Sequence, residues 1–199
     1  MTILKHLTVV ALLSTATATL AAGDPVAGEE KAALCAGCHG DDGNATAPIF
    51  PKLAGQHKNF LIKQLHEFKS HKRVEATMNA MAEPLSEEDI QDLAAFYATK
   101  KITPESGAIN TKGESLYKAG SASAGIPACS GCHGPRGEGN PSAGFPSLRG
   151  QYSAYIEKTL ADFKSGERAN DPNGMMRQIA SHLSDEDMNA LGDYVSTLK

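Results

Sequence analysis

Cys35-Ala36-Gly37-Cys38-His39-Gly40 decides how the rest of the chain is read, because it returns as Cys129-Ser130-Gly131-Cys132-His133-Gly134. Two thiols three residues apart can add to the two vinyl groups of one haem, and the adjacent imidazole then supplies an axial nitrogen to the iron. A redox dithiol of the thioredoxin kind shares the Cys spacing, but it wants a strand–helix setting and has no need of the His. Zinc could draw on four Cys and two His, yet it would tie both copies into one site. Each copy here is complete in itself and carries its own matched downstream sequence. Cys35, Cys38, Cys129 and Cys132 are therefore read as thioether positions, with His39 and His133 as iron ligands.

Working outward, the likeness extends well beyond the motif. Phe50-Pro51-Lys52-Leu53-Ala54-Gly55-Gln56 recurs as Phe145-Pro146-Ser147-Leu148-Arg149-Gly150-Gln151. Phe68-Lys69-Ser70 recurs as Phe163-Lys164-Ser165, and Leu85-Ser86-Glu87-Glu88-Asp89 as Leu183-Ser184-Asp185-Glu186-Asp187. A period of about 95 residues is a duplicated domain, since solenoid repeats run ~20–50. The reading is a signal over residues 1–22, an N-terminal domain over 23–101, a polar Pro/Gly linker over 102–112 and a C-terminal domain over 113–199. Gly120 to Pro127 is an extra Gly/Ser/Ala stretch in the second copy, expected as an exposed loop.

The first 22 residues have a short basic start, an apolar run and small residues before Ala21 and Ala22, the form of a cleaved secretory signal. The run is short of the ~20 residues that span a bilayer. The mature chain is expected in a bacterial periplasm, where four Cys would ordinarily pair as disulfides; the duplicated motif overrides that expectation. A net charge of −4 with no basic stripe argues against nucleic acid as a partner. There is no Trp and aromatic residues are few, so each small domain has a thin core that a bound apolar group would complete.

Both copies read as helical. Asp24-Pro25 is a cap followed by Pro at the first helical position. Phe60, Leu61, Gln64, Leu65 and Phe68 follow helical spacing, as do Tyr155, Ile156, Thr159, Leu160 and Phe163. Ser86-x-x-Asp89 and Ser184-x-x-Asp187 look like capping boxes ahead of a last helix. Ile90, Leu93, Ala94, Tyr97 and Met188, Leu191, Gly192, Val195 form the stripes that face each core. No stretch alternates as a strand does, so the fold class is all-α: two tandem helical bundles, each around one covalent haem.

The second axial ligand must come from elsewhere, and Met raises the haem potential. Met78 stands eight residues before Ser86, and Met176 eight before Ser184. Met81, Met175 and Met188 match Ile179, Thr77 and Ile90, so they are read as core or loop residues. His57, His66, His71 and His182 lack a counterpart and are read as surface residues. A backbone carbonyl near Pro48 is the expected acceptor for the outer nitrogen of His39. The second copy has Ala143 at the matching point. Ile49, Phe50, Leu53, Phe145 and Leu148 are expected to line haem pockets and not to pack on one another.

In these motifs, and above all in Phe-Pro-x-Leu-x-Gly-Gln twice over, the chain resembles the dihaem cytochrome c4 family across essentially its whole mature length. The resemblance implies two class I cytochrome c folds and two covalently bound haem c groups. It matches Cys35, Cys38, His39 and Met78 to a first site, and Cys129, Cys132, His133 and Met176 to a second. It further implies a periplasmic electron carrier, loosely membrane-associated, between an upstream cytochrome or quinol-oxidising complex and a terminal oxidase. The dihaem subunit of flavocytochrome c sulfide dehydrogenase is similar and remains open as an alternative. Dihaem peroxidases share only the two motifs and need an open iron. No Ser/His/Asp set, phosphate loop or nucleotide fingerprint is present, so a carrier is expected and not an enzyme.

Overall fold

The computed structural model describes residues 23–199. The export signal read over residues 1–22 lies outside them. The described chain is helical, with two isolated β-bridges, Ser121 to Ile126 and Asn140 to Phe145. Among the described residues no helix is long and apolar enough to cross a membrane.

Helix α1 (Pro25–Ala32) starts where the sequence asks it to. The Asp24 carboxylate accepts from the Val26 N–H, and Pro25 occupies the first turn. Its partner is α5 (Glu87–Thr99), which opens on a capping box between Ser86 and Asp89. The two cross at Gly28, where an added Cβ would lie 2.1 Å from the Asp92 carbonyl oxygen. Only a residue without a side chain permits that approach. Lys31 bridges Asp89 and Asp92 at 2.8 and 2.7 Å across the same contact. Between them lie α2 (Ala36–His39), α3 (Lys58–Lys69) and α4 (Ala76–Ala82). The core is Ala32, Leu61, Leu93, Ala94, Phe96 and Tyr97.

The second domain repeats the plan with α6 (Thr111–Ala119), α7 (Ser130–His133), α8 (Ser153–Ser165), α9 (Met175–Ala180) and α10 (Asp185–Ser196). Gly113 plays the part of Gly28, with the Ala190 carbonyl oxygen 1.9 Å from an added Cβ. Ser184 and Asp187 form the second capping box. Thr111 and Lys112, the end of the stretch read as linker, make the first turn of α6. The Gly120 to Pro127 stretch is mostly exposed but is tied down by Ile126, which is buried in the core with Leu116, Tyr117, Leu183 and Leu191.

The repeated Gln of Phe-Pro-x-Leu-x-Gly-Gln joins the domains. The Gln151 side chain accepts from the Lys52 N–H and donates to the Lys52 carbonyl, both at 2.9 Å. Gln56 treats Ser147 in the same way, at 3.0 and 2.9 Å. Lys52 and Ser147 are equivalent positions, so the clamp has approximate twofold symmetry. The Lys52 ammonium reaches back to the Thr103 and Gly150 carbonyls. Gln151 and Lys52 are both buried, so truncation strands a backbone donor and acceptor together. Gln151→Ala is expected to cost about 1–3 kcal/mol. Thermal unfolding should then split into two transitions, one per domain; a single transition at the parental temperature would contradict the clamp.

Candidate functional site

Each Cys-x-x-Cys-His motif folds as one helical turn. The His39 N–H donates to the Cys35 carbonyl at 3.0 Å, and the His133 N–H to the Cys129 carbonyl at 2.9 Å. Residues four apart on a turn share a face, so the first thiol and the imidazole point the same way. Gly40 and Gly134 end the turns at φ 78° and 80°, a conformation that side chains resist.

Both imidazoles are buried, and each is fixed through its inner nitrogen. Nδ1 of His39 lies 2.9 Å from the Pro51 carbonyl oxygen, and Nδ1 of His133 lies 3.0 Å from that of Pro146. A carbonyl can only accept, so Nδ1 carries the proton and Nε2 keeps its lone pair. Burial holds both groups below the usual imidazole pKa and hence neutral. The acceptor is thus Pro51 and not a carbonyl near Pro48. The cause is a tight turn. The Leu53 and Ala54 N–H groups both donate to the Gly43 carbonyl, at 2.7 and 3.1 Å, folding Phe-Pro-x-Leu back beneath the motif. Leu148 and Arg149 do the same to Gly137. The missing Pro at Ala143 therefore has no consequence.

The thiols are unpaired, and burial raises Cys35 above its ordinary pKa and Cys129 to about 11. Reactive dithiols need the opposite shift, so a thioredoxin-like role fits poorly. Among the described residues no three His, Cys, Asp or Glu side chains converge as a metal site.

Met78 and Met176 are both half-buried and lie on the short helices α4 and α9. The next residue pins each loop. Asn79 Nδ2 donates to the Phe68 and Arg73 carbonyls at 2.7 and 2.8 Å. Arg177 donates through its backbone N–H and Nε to the Asp171 carboxylate at 3.0 and 2.8 Å. The entries differ. Glu75 caps α4 directly, whereas a turn through Asn173 and Gly174, both at positive φ, precedes α9. That turn accounts for the longer Phe163 to Met176 segment. Met188 is core, while Met81 and Met175 are exposed.

The unmatched histidines divide. His66 pairs with Glu87 on the surface, and His71 and His182 are exposed. His57 is not a surface residue: its Nε2 lies 2.8 Å from the Glu138 carbonyl oxygen across the domain interface. Tyr152, its partner in the repeat, donates to the Ala45 carbonyl from the other side.

The residues fit a large, partly apolar, anionic group joined to each motif. Leu34 and Ile49 are 82% and 75% exposed beside the first motif. Phe50 and Phe145 stand at an angle to His39 and His133, at 6.3 and 6.1 Å between ring centres. Leu53 and Leu148, expected to line the pockets, pack against the edges of the two cores, as Cys35 and Cys129 do. Arg73 and Arg168, equivalent positions stacked on Phe68 and Phe163, meet at the interface. Both donate to Gln64 Oε1, at 2.8 and 3.2 Å, and Arg73 also to the Tyr155 hydroxyl. Neither has a carboxylate partner among the described residues, and the buried Gln64 Nε2 has no partner either. Such a cluster of donors is built for anions.

Two haem-attachment turns, each within its own small helical bundle, define a two-domain c-type cytochrome. The cytochrome c family profile matches residues 26–100 and again 111–199. A cytochrome c4 from Thiocapsa roseopersicina is 49% identical over 180 residues, covering 88% of this chain and 93% of that protein. The crystal structure of reduced cytochrome c4 from Pseudomonas stutzeri superposes with a TM-score of 0.85 at 43% identity, over 89% of this chain and all of that one. A thiosulfate dehydrogenase electron acceptor from Thiomonas intermedia is 36% identical over 98% of this chain and 89% of its own length. The chain belongs to the dihaem cytochrome c4 family, and it takes two covalent haem c groups, at Cys35/Cys38 and at Cys129/Cys132.

Proposed function

We propose that this protein is a periplasmic single-electron carrier of a respiratory chain, exported by a signal over residues 1–22. Its domains are 23–101 and 113–199, joined by 102–112. What supports this most is the pairing, in each copy, of a neutral imidazole fixed through Nδ1 with a methionine at a matched position. When bound, each haem supplies an iron that changes oxidation state by one electron. His39 and His133 would hold its iron through Nε2, and Met78 and Met176 through thioether sulfur. With an imidazole and a thioether from each domain both engaged, each haem site would leave no place for oxygen, peroxide or substrate to bind. Neutral sulfur favours the ferrous state and positive potentials, which suit a late step. Arg73, Arg168 and the Gln64 amide offer counter-charge and hydrogen bonds to the haem carboxylates.

The reading extends to partners: an upstream cytochrome or quinol-oxidising complex as donor, and a terminal oxidase as acceptor, with loose membrane association. A second reading, electron acceptor to a dehydrogenase of reduced sulfur compounds, draws support from the Thiomonas relative. The two are separable. Ferrous protein mixed with washed bacterial membranes should be oxidised in a cyanide-sensitive way under the first. Under the second, ferric protein should be reduced by thiosulfate only when a thiosulfate dehydrogenase is added. Robust peroxidase turnover would overturn both.

A further inference from the structure

The duplication is unfaithful at one buried place beside each first cysteine. Gly28 approaches Phe96 and Gly113 approaches Tyr194, the added Cβ lying 2.8 and 2.9 Å from the partner's Cβ. This register aligns Phe96 with Tyr194, so Tyr97 is aligned with Val195, and Ala32 with Tyr117. Each domain therefore places one phenol near its first Cys, but from a different helix: α5 in the first domain, α6 in the second. The two phenols also differ in what they bond. Tyr117 donates to the Gly134 carbonyl at 2.7 Å. Tyr97 is 3% exposed, and its hydroxyl has no hydrogen-bond partner. It sits in the core cluster against which Cys35 packs, with the hydroxyl beside the Cys35 sulfur.

A buried hydroxyl without a partner costs about 1–3 kcal/mol. Retaining it makes physical sense where the group joined at Cys35 uses it. Burial also pushes the phenol well above its ordinary pKa, so it remains a donor at any physiological pH. We propose that Tyr97 is a positioning residue for electron transfer: its O–H donates to the Cys35 thioether sulfur, turns the positive end of its dipole toward the first haem, and raises that haem's potential. The ferrous form carries one more electron and is stabilised most by that dipole. No bond to carbon, sulfur or iron changes, and the electron comes from the external reductant. The second haem lacks the effect, because Val195 stands at the matching position and the Tyr117 hydroxyl is already engaged. The duplication thus yields two inequivalent sites, and the inference rests on thioether attachment at Cys35.

Redox titration of the holoprotein tests this. Tyr97→Phe removes one oxygen and keeps the ring. One of the two one-electron waves should move to lower potential, changing the ferrous-to-ferric ratio at fixed potential by roughly two- to fivefold, a part of one hydrogen bond. The other wave should stay in place. Tyr117→Phe should shift neither wave comparably. Redox-difference infrared spectra of the unsubstituted protein give a check that does not depend on a variant folding: a tyrosine C–O band should move on reduction. Two unmoved waves in Tyr97→Phe, equal movement of both waves, or no redox-linked tyrosine band would each overturn the assignment. Loss of the Cys35 linkage would be recognised separately, as one missing haem in the intact mass.

Discussion

Replacing Cys35 and Cys38 together by Ser is expected to remove one of the two haems and unfold the N-terminal half of the protein. The reason lies in what that half can bury without the group. Its buried apolar residues are Ala32, Ala45, Ala54, Leu61, Phe68, Ala82, Ile90, Leu93, Ala94, Phe96 and Tyr97, five of them alanines. A buried Leu or Phe contributes roughly 1.5–3 kcal/mol, whereas ordering each residue's backbone costs about 1–2 kcal/mol. Leu34, Ile49 and Val74 meanwhile stay exposed. The loss should amount to about 5 kcal/mol or more, the full stability of a small domain. Acid-denatured intact mass should fall by one haem and helical circular dichroism by nearly half. The second domain should survive at a lower transition temperature, having lost the Gln56 and Gln151 clamps. Full helicity in a one-haem protein, or two haems still attached, would refute the argument.

The parts of this structure visible in the sequence are those whose cause is local. Both capping boxes need only Ser and Asp three residues apart, and both form. The α1 start needs only Asp24-Pro25. The methionines were sorted by the repeat, and Met188 is indeed core. What stayed hidden depends on chain folding back on itself. Pro51 and Pro146 act through backbone carbonyls, which leave no side-chain signature; the turn onto Gly43 and Gly137 decides the matter. His57 reads as a surface position because comparing the copies weighs likeness, and its counterpart is Tyr152. An approximately symmetric interface can be built from unlike residues. Gln56 and Gln151 did leave a trace, as a repeated polar residue without a role in the motif. So did Arg73 and Arg168, each five residues past the repeated Phe. A duplicated polar residue that the cofactor chemistry does not require is a candidate for the contact between the duplicates.

Met78→Ala and Met176→Ala are each expected to convert one site from a carrier into an open iron. The structure gives both methionines the same surroundings: half-buried, in a short helix, with the next side chain locking the preceding loop. Truncating a Met of this kind costs about 2–5 kcal/mol where it is buried. At a half-buried position the packing share should fall near 2 kcal/mol, with the lost iron–sulfur bond added to it. The optical consequence is larger. Ferric protein should lose the weak sulfur-to-iron band from one haem, and ferrous protein should bind carbon monoxide at that haem alone. The corresponding wave should drop in potential, because sulfur no longer favours the ferrous form. Met81→Ala and Met175→Ala, on exposed neighbours, should change none of these. Asn79→Ala should mimic Met78→Ala only in part: the ligand remains but its loop is released, so carbon monoxide should bind slowly and at higher concentration. Rapid carbon monoxide binding by the unsubstituted protein, or Met78→Ala and Met176→Ala spectra identical to the parent, would remove Met78 and Met176 from the coordination sphere and, with them, the argument that the irons are closed to substrate.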